Sequence, residues 1–192
     1  MPPSVDTAIQ SLQTGFSGRL IQIKEFRGES TIEIAPVDLV SIARHLKEEL
    51  GFDYLVDITG VDHLDQEPRF EVVYEFSNYV TAVHLRLKVR IETDNASVPT
   101  LCPVYQGANW HEREVYDMFG ITFPGHPDLR RIIMWEGYPY HPLRKDFPLE
   151  GLSSDVPNEA FTEPAPLAGG PFVSSPASLV QDREPRAKPA QI

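Results

Sequence analysis

The amino-acid sequence predicts an α+β domain: a mixed, largely antiparallel sheet with helices packed on one face, followed by an irregular C-terminal extension. Three features of the 192 residues point there. Phe70–Phe76 and Thr81–Ile91 alternate apolar and charged side chains with period 2, as strands with one buried face do. Leu39, Ile42, Ala43, Leu46 and Leu50 recur at helical spacing. After Gly120, prolines and glycines recur too often for long regular elements.

The elements follow in order. Ser4 is placed to cap a first helix whose apolar stripe is Val5, Ile9 and Leu12, with Asp6 in its first turn and Gly15 at its exit. Leu20–Ile23 and Thr31–Ile34 flank the turn Arg27–Ser30 and read as a hairpin. Pro36 precedes the Leu39–Leu50 helix, and Gly51 stands where a left-handed terminating residue belongs. Three strands are expected next: Tyr54–Gly60, Phe70–Phe76, and Thr81–Ile91 with His84, Arg86, Lys88 and Arg90 on its polar face. The short turn at Ser77–Tyr79 makes the last two an antiparallel pair. Asn109 is expected to cap a helix from Trp110 to Phe119, with Glu112 at its third position and Gly120 closing it. The chain thus divides into an α+β domain over 1–120, an irregular docking segment over 121–151 and a proline-rich extended tail over 152–192.

Composition removes several classes of function. No stretch approaches the roughly 18 consecutive apolar residues a spanning helix needs. The N-terminus has no basic residue before Arg19 and carries Asp6, so a bacterial cytoplasmic location is expected rather than export. A net charge of −11 disfavours nucleic acid and anionic lipid, both of which are bound by Lys and Arg neutralising phosphate. The single cysteine, Cys102, excludes an internal disulfide, a four-thiolate zinc site or an unaided iron-sulfur cluster.

Residues 110–148 differ from what precedes them. They hold six acids and five Arg or Lys, against sixteen and nine in residues 1–109, so their charge is nearly balanced. On the helix, Arg113 and Asp117 are four apart and in position to pair, leaving Glu112 and Glu114 to find cations elsewhere, with Arg130, Arg131, Arg144 and Lys145 at hand. A solvated charged helix is the plainer account of the same residues. Trp110, Tyr116, Trp135, Tyr138, Tyr140, Arg130 and Arg131 are the residue types that anchor interfaces, though core packing is an equal alternative for Trp110.

These residues carry a family resemblance. Glu112-Arg113-Glu114, Asp117-Met118-Phe119-Gly120 and His126-Pro127-Asp128-Leu129-Arg130-Arg131-Ile132 resemble the signature of the 30 kDa subunit of respiratory complex I, as found in the bacterial NADH:quinone oxidoreductases. Pro142-Leu143-Arg144-Lys145-Asp146-Phe147-Pro148-Leu149 looks like its closing motif, and the resemblance spans about residues 5–150. It implies a structural, non-redox subunit of the hydrophilic arm of a proton-translocating NADH:quinone oxidoreductase, peripheral on the cytoplasmic side of the bacterial inner membrane. FMN, iron-sulfur clusters and quinone would reside on partner subunits, among them the quinone-site large subunit and those bearing the terminal clusters. Glu112, Arg113, Glu114, Asp117, His126, Arg130, Arg131, Arg144 and Lys145 would fix the C-terminal part of the fold and its docking face, without catalysis. The equivalent subunit of a related hydrogenase or other quinone-linked complex, and a stand-alone binding module, are the alternatives.

Chemistry within the chain finds little support in its motifs. His111-Glu112 opens like HExxH, but Val115 occupies the position of the second histidine. His126 and His141 lie fifteen apart in irregular chain with no cysteine near in sequence, which favours structural hydrogen bonds over metal ligation. No GxGxxG or GxxxxGK occurs, and Ser17 falls short of a nucleophile elbow. Asp57, Asp62 and Asp65 near His63 read as solvated acids ending a strand, and Cys102 as a small packed residue.

Overall fold

A computed structural model describes residues 4–149 and 151–152. The 1–3 and 153–192 segments, and with them nearly all of the expected tail, lie outside the described residues.

Helix α1 (Val5–Gly15) begins as its cap dictates, with the Thr7 N–H donating to Ser4 Oγ at 3.2 Å, and it buries Ala8 and Leu12. Strands β1 (Leu20–Phe26) and β2 (Glu29–Ile34) are joined by a turn of two residues, Arg27 and Gly28, both with positive φ. The expected four-residue turn is therefore shorter, because Gly28 takes up a left-handed conformation that lets the strands pair to the tip. A short 3-10 turn, Pro36–Asp38, leads into α2 (Leu39–Glu48), which buries Leu39, Ile42, Ala43 and Leu46. Strands β3 (Tyr54–Asp62), β4 (Phe70–Ser77) and β5 (His84–Ile91) complete a five-stranded sheet of order β1-β2-β5-β4-β3.

Every neighbouring pair is antiparallel except β2 and β5, which run parallel through Thr31–Ile34 and Arg86–Val89. Strand β5 starts at His84 rather than Thr81. Asn78 is the reason: its Oδ1 accepts from the backbone N–H groups of Val80 and Thr81 and from the Thr81 hydroxyl, and so holds residues 78–81 in a turn.

Period 2 then sorts the sheet. Ile32, Ile34, Leu85, Leu87, Val89, Phe70, Val72, Tyr74 and Phe76 face one buried side, where the helices' apolar residues complete a single core. The other side is a charge ladder, with Arg86 reaching Glu75 at 2.9 Å and Glu29 at 3.0 Å, and Lys88 reaching Glu71 at 2.7 Å.

Helix α3 (Ala108–Phe119) lies over β3, and Gly60 makes room for it: a Cβ there would sit 2.6 Å from the Phe119 ring. The helix starts two residues before the expected Trp110, with Gly107 at its N-cap and no side-chain cap. Asn109 is inside the helix, because a preceding series of tight turns from Leu101 to Gly107 already leads the chain into helical geometry. Gly120 ends it in the left-handed conformation, φ 74°. The core continues to Ile121 and Phe123, after which no helix or strand occurs among the described residues. Among the described residues no helix is long and apolar enough to cross a membrane.

Candidate functional site

The irregular chain from Arg130 to Leu149 has no ladder of its own to satisfy its backbone, so its shape depends on side chains that reach it from the folded body. Two buried aspartates do most of this.

Asp117, in the last turn of α3, is fully buried. Its Oδ2 accepts three successive backbone N–H groups, from Ile132 at 3.0 Å, Ile133 at 2.8 Å and Met134 at 2.9 Å, while Oδ1 takes Arg131 Nη1 at 2.6 Å. The Asp117 carbonyl accepts from Arg131 Nη1 and from His141 Nδ1, each at 3.0 Å. Burial pushes the carboxyl pKa up, but the three N–H groups and the guanidinium together hold it below the ordinary aspartate value. Burial likewise pushes His141 below the usual histidine value, keeping the ring neutral as a donor to that carbonyl.

Asp62, at the end of β3, anchors the closing motif. Arg69 grips it with Nε at 2.8 Å and Nη2 at 2.7 Å, and the backbone N–H groups of Leu64 and Lys145 add 2.9 and 2.8 Å contacts. The Arg69 hydrogen bonds hold its carboxyl well below the usual carboxylate range. Arg69 also reaches Asp146 at 3.1 Å. The expectation of a solvated acid at Asp62 is thus overturned, because Arg69 comes back to it across the β3–β4 hairpin. Asp57 and Asp65 remain exposed and do not join it in an acid-base cluster.

Gly120 sits where these connections converge. Arg144 Nε donates to the Phe119 carbonyl at 2.6 Å, and a Cβ on Gly120 would lie 2.5 Å from both Arg144 Nη2 and His141 Nε2. Beyond it, edge-on contacts link Trp135 to Tyr138 and Tyr138 to Tyr140, and Tyr140 tilts against Phe147.

The other anticipated residues are distributed differently from the sequence expectation. Arg113 does not pair with Asp117: its guanidinium lies over the Trp110 ring, and Nε donates to the Arg130 carbonyl at 3.2 Å. Asp117 is already filled by the chain that folds over it. Trp110 itself is 64% exposed, so it is not a core residue. Among the described residues Arg130 pairs with Asp128 alone, on the surface, and Glu114 is exposed. Lys145 contributes its backbone N–H, while its residue is exposed.

Glu112 is wholly buried yet meets no Lys or Arg among the described residues. Its oxygens accept from the Thr100 hydroxyl at 2.5 Å and the Leu101 N–H at 2.6 Å, and Cys102 Sγ approaches to 3.6 Å. Burial raises its pKa, opposed by those donors. His126 accepts the Asp128 N–H at Nδ1, and its Nε2 meets the Asn109 carbonyl at 3.1 Å, which puts the ring proton on Nε2.

Asp62, Arg69, His141 and Thr100, whose roles no motif revealed, have partners 7 to 83 positions away, beyond any local spacing rule. At Asp117 and Asp62, hydrogen-bond donors occupy both oxygens, and neither carboxylate is left as a free base. The arrangement is suited to holding a shaped surface. Ile133, Leu143 and Leu149 project from it, the last 95% exposed.

Comparison with known proteins bears on that surface. A family model for the respiratory-chain NADH dehydrogenase 30 kDa subunit matches residues 32–153. The C-type subunit of the NADH-quinone oxidoreductase of Geotalea uraniireducens is 44% identical over 144 residues, covering 75% of this chain and 88% of that protein. The C-type subunit numbered 2 of Rhizobium meliloti is 46% identical over 143 residues, 73% of this chain and 78% of its own. Among solved structures, the trypsin-resistant fragment (1-134) of Nqo5 superposes with a TM-score of 0.58 at 28% identity, over 65% of this chain and 98% of the fragment. A chain of an archaeal membrane-bound sulfane sulfur reductase superposes with a TM-score of 0.65 at 27% identity, over 75% and 85%. The matched region runs from the middle of β2 through β5, α3 and the whole clamped segment, and the chain belongs to the respiratory-chain NADH dehydrogenase 30 kDa subunit family.

Proposed function

We propose that this chain is a structural, non-redox subunit in the hydrophilic arm of a proton-translocating NADH:quinone oxidoreductase, and that its clamped segment over 121–151 is the docking face. The observation that carries the proposal is the pair of buried aspartates. They commit two internal carboxylates to shaping an irregular stretch that leaves Ile133, Leu143 and Leu149 in solvent. Exposed apolar side chains on rigidly held irregular chain are what a partner protein buries. In this role Asp117, Arg131, His126 and Arg144 shape the face, the buried Arg113 backs it through the Arg130 carbonyl, and Arg130, Glu114 and Lys145 lie at its surface. The chain turns over no substrate by itself. FMN, the iron-sulfur clusters and quinone sit on partners, chiefly the quinone-site large subunit and the terminal-cluster subunits. Attachment to the cytoplasmic side of the inner membrane is through them.

The likeness to the sulfane sulfur reductase chain supports a second reading, in which the same scaffold serves a related membrane-bound complex. The test is a gentle pull-down of the tagged chain from detergent-solubilised membranes, with mass spectrometry and an NADH:quinone assay. Co-purification of quinone-site and iron-sulfur subunits with NADH:quinone activity is expected. Recovery of a hydrogenase-like set selects the second reading, and recovery of the chain alone rejects both.

A further inference from the structure

The loop before α3 and the loop after it run side by side. The Val98 N–H donates to the Thr122 carbonyl at 3.0 Å and the Thr100 N–H to the Pro124 carbonyl at 3.2 Å. This zipper brings Cys102 from one loop and His126 from the other to Glu112 on the helix between them. One ligand atom from each lies within 4.8 Å of the other two. We infer that Cys102, Glu112 and His126 form a binding site for one divalent metal ion of the zinc class, with the fourth position open to solvent.

Three observations support this. First, Glu112 is a fully buried carboxyl that no Lys or Arg reaches among the described residues, with His126 as the nearby titratable group, and proteins avoid such burial unless a proton or a metal supplies the missing charge. A metal dication with one thiolate, one carboxylate and a neutral imidazole sums to zero. Second, the donor set is chemically coherent, since sulfur, nitrogen and carboxylate oxygen together select a borderline ion such as Zn²⁺ over Mg²⁺ or Ca²⁺. Tetrahedral zinc with bonds of about 2.0–2.3 Å places its ligand atoms roughly 3.3–3.7 Å apart. The Cys102 Sγ to Glu112 Oε2 distance is already 3.6 Å, and the His126 nitrogen lies within 4.8 Å of both. Third, with Nε2–H directed at the Asn109 carbonyl, the His126 lone pair is on Nδ1, where its present partner is the Asp128 N–H. A metal entering there displaces only the N–H of Asp128, on an exposed stretch. Cys102 and His126 are partly exposed, which gives the ion a way in. Binding releases the Cys102 thiol proton and any proton held by Glu112.

The test uses the untagged full-length chain, freed of metal by chelator and kept reduced. Titration with Co²⁺ is expected to reach one equivalent, with thiolate-to-cobalt charge-transfer absorption and the intense visible bands of four-coordinate cobalt, both abolished by added Zn²⁺. Cys102→Ser removes the charge-transfer band, and His126→Gln weakens cobalt binding by about 100-fold or more, since loss of a supporting partner alone costs 10–100-fold. Circular dichroism verifies that both variants fold. His111→Ala, outside the triad, leaves the titration unchanged. No charge-transfer band in the folded wild-type chain, or a band that persists in folded Cys102→Ser or at undiminished affinity in folded His126→Gln, overturns the site.

Discussion

At the scale of single residues, Asp117 has the largest expected consequence. Replacing it with Asn keeps the size but sets an amide against donors that need an acceptor, and strands Arg131. The loss of one partner from a buried charge network costs about 3–5 kcal/mol, which a urea-melt midpoint will register. Glu112 behaves oppositely. Its folded pKa is raised, so the unfolded chain gives up that proton first and stability falls as pH rises above the ordinary glutamate value. Glu112→Gln in the metal-free chain should flatten that slope with little loss near neutrality. Asp117 and Asp62 are depressed, and the stability they contribute is present above the ordinary aspartate value and lost as pH falls below it. His141 adds a further loss as pH falls below the ordinary histidine value. Melts of wild type and Glu112→Gln across acid to neutral pH will separate these contributions.

At the scale of elements, the decisive junction is the exit of α3. Gly120→Ala forces a side chain into a left-handed position and against the tips of His141 and Arg144. A cost of about 2–4 kcal/mol is expected from backbone strain plus overpacking. Limited proteolysis should show earlier cleavage within residues 130–149 than in wild type, whereas equal protection would mean that the two tips simply move aside. Most elements were legible in the sequence, because α1, α2, β4 and β5 each carry a period or a cap that acts within a dozen residues. The start of α3 was not. Asn109 has the chemistry of a cap, but tertiary turns from Leu101 onward set the helix origin first. The clamp was half legible: the motif residues Asp117, Arg131 and Arg144 stood out, but the expected partner of Asp117 on the helix surface was the wrong one. What fills Asp117 is backbone N–H, which has no sequence signature.

At the scale of the whole molecule, the chain presents a charged sheet face on one side and the clamped segment at the end of α3. If the segment docks as proposed, Arg131→Ala should impair assembly while any complex that forms keeps its normal rate per cluster. A rate loss in fully assembled complex, read by NADH:quinone assay against iron-sulfur content, would contradict a purely architectural part. The parallel seam between β2 and β5 has a kinetic consequence. The β1–β2, β3–β4 and β4–β5 pairs close between neighbours in sequence, but β2 must find β5 across some fifty intervening residues. Closing a loop of that size costs roughly 3–4 kcal/mol of chain entropy before any contact compensates. The N-terminal hairpin and the β3–β4–β5 meander therefore form as separate cooperative units, and their union is the slow event. Amide exchange should then show the edge strand β1 opening at lower free energy than β4, and mutations along the seam should slow folding more than they hasten unfolding.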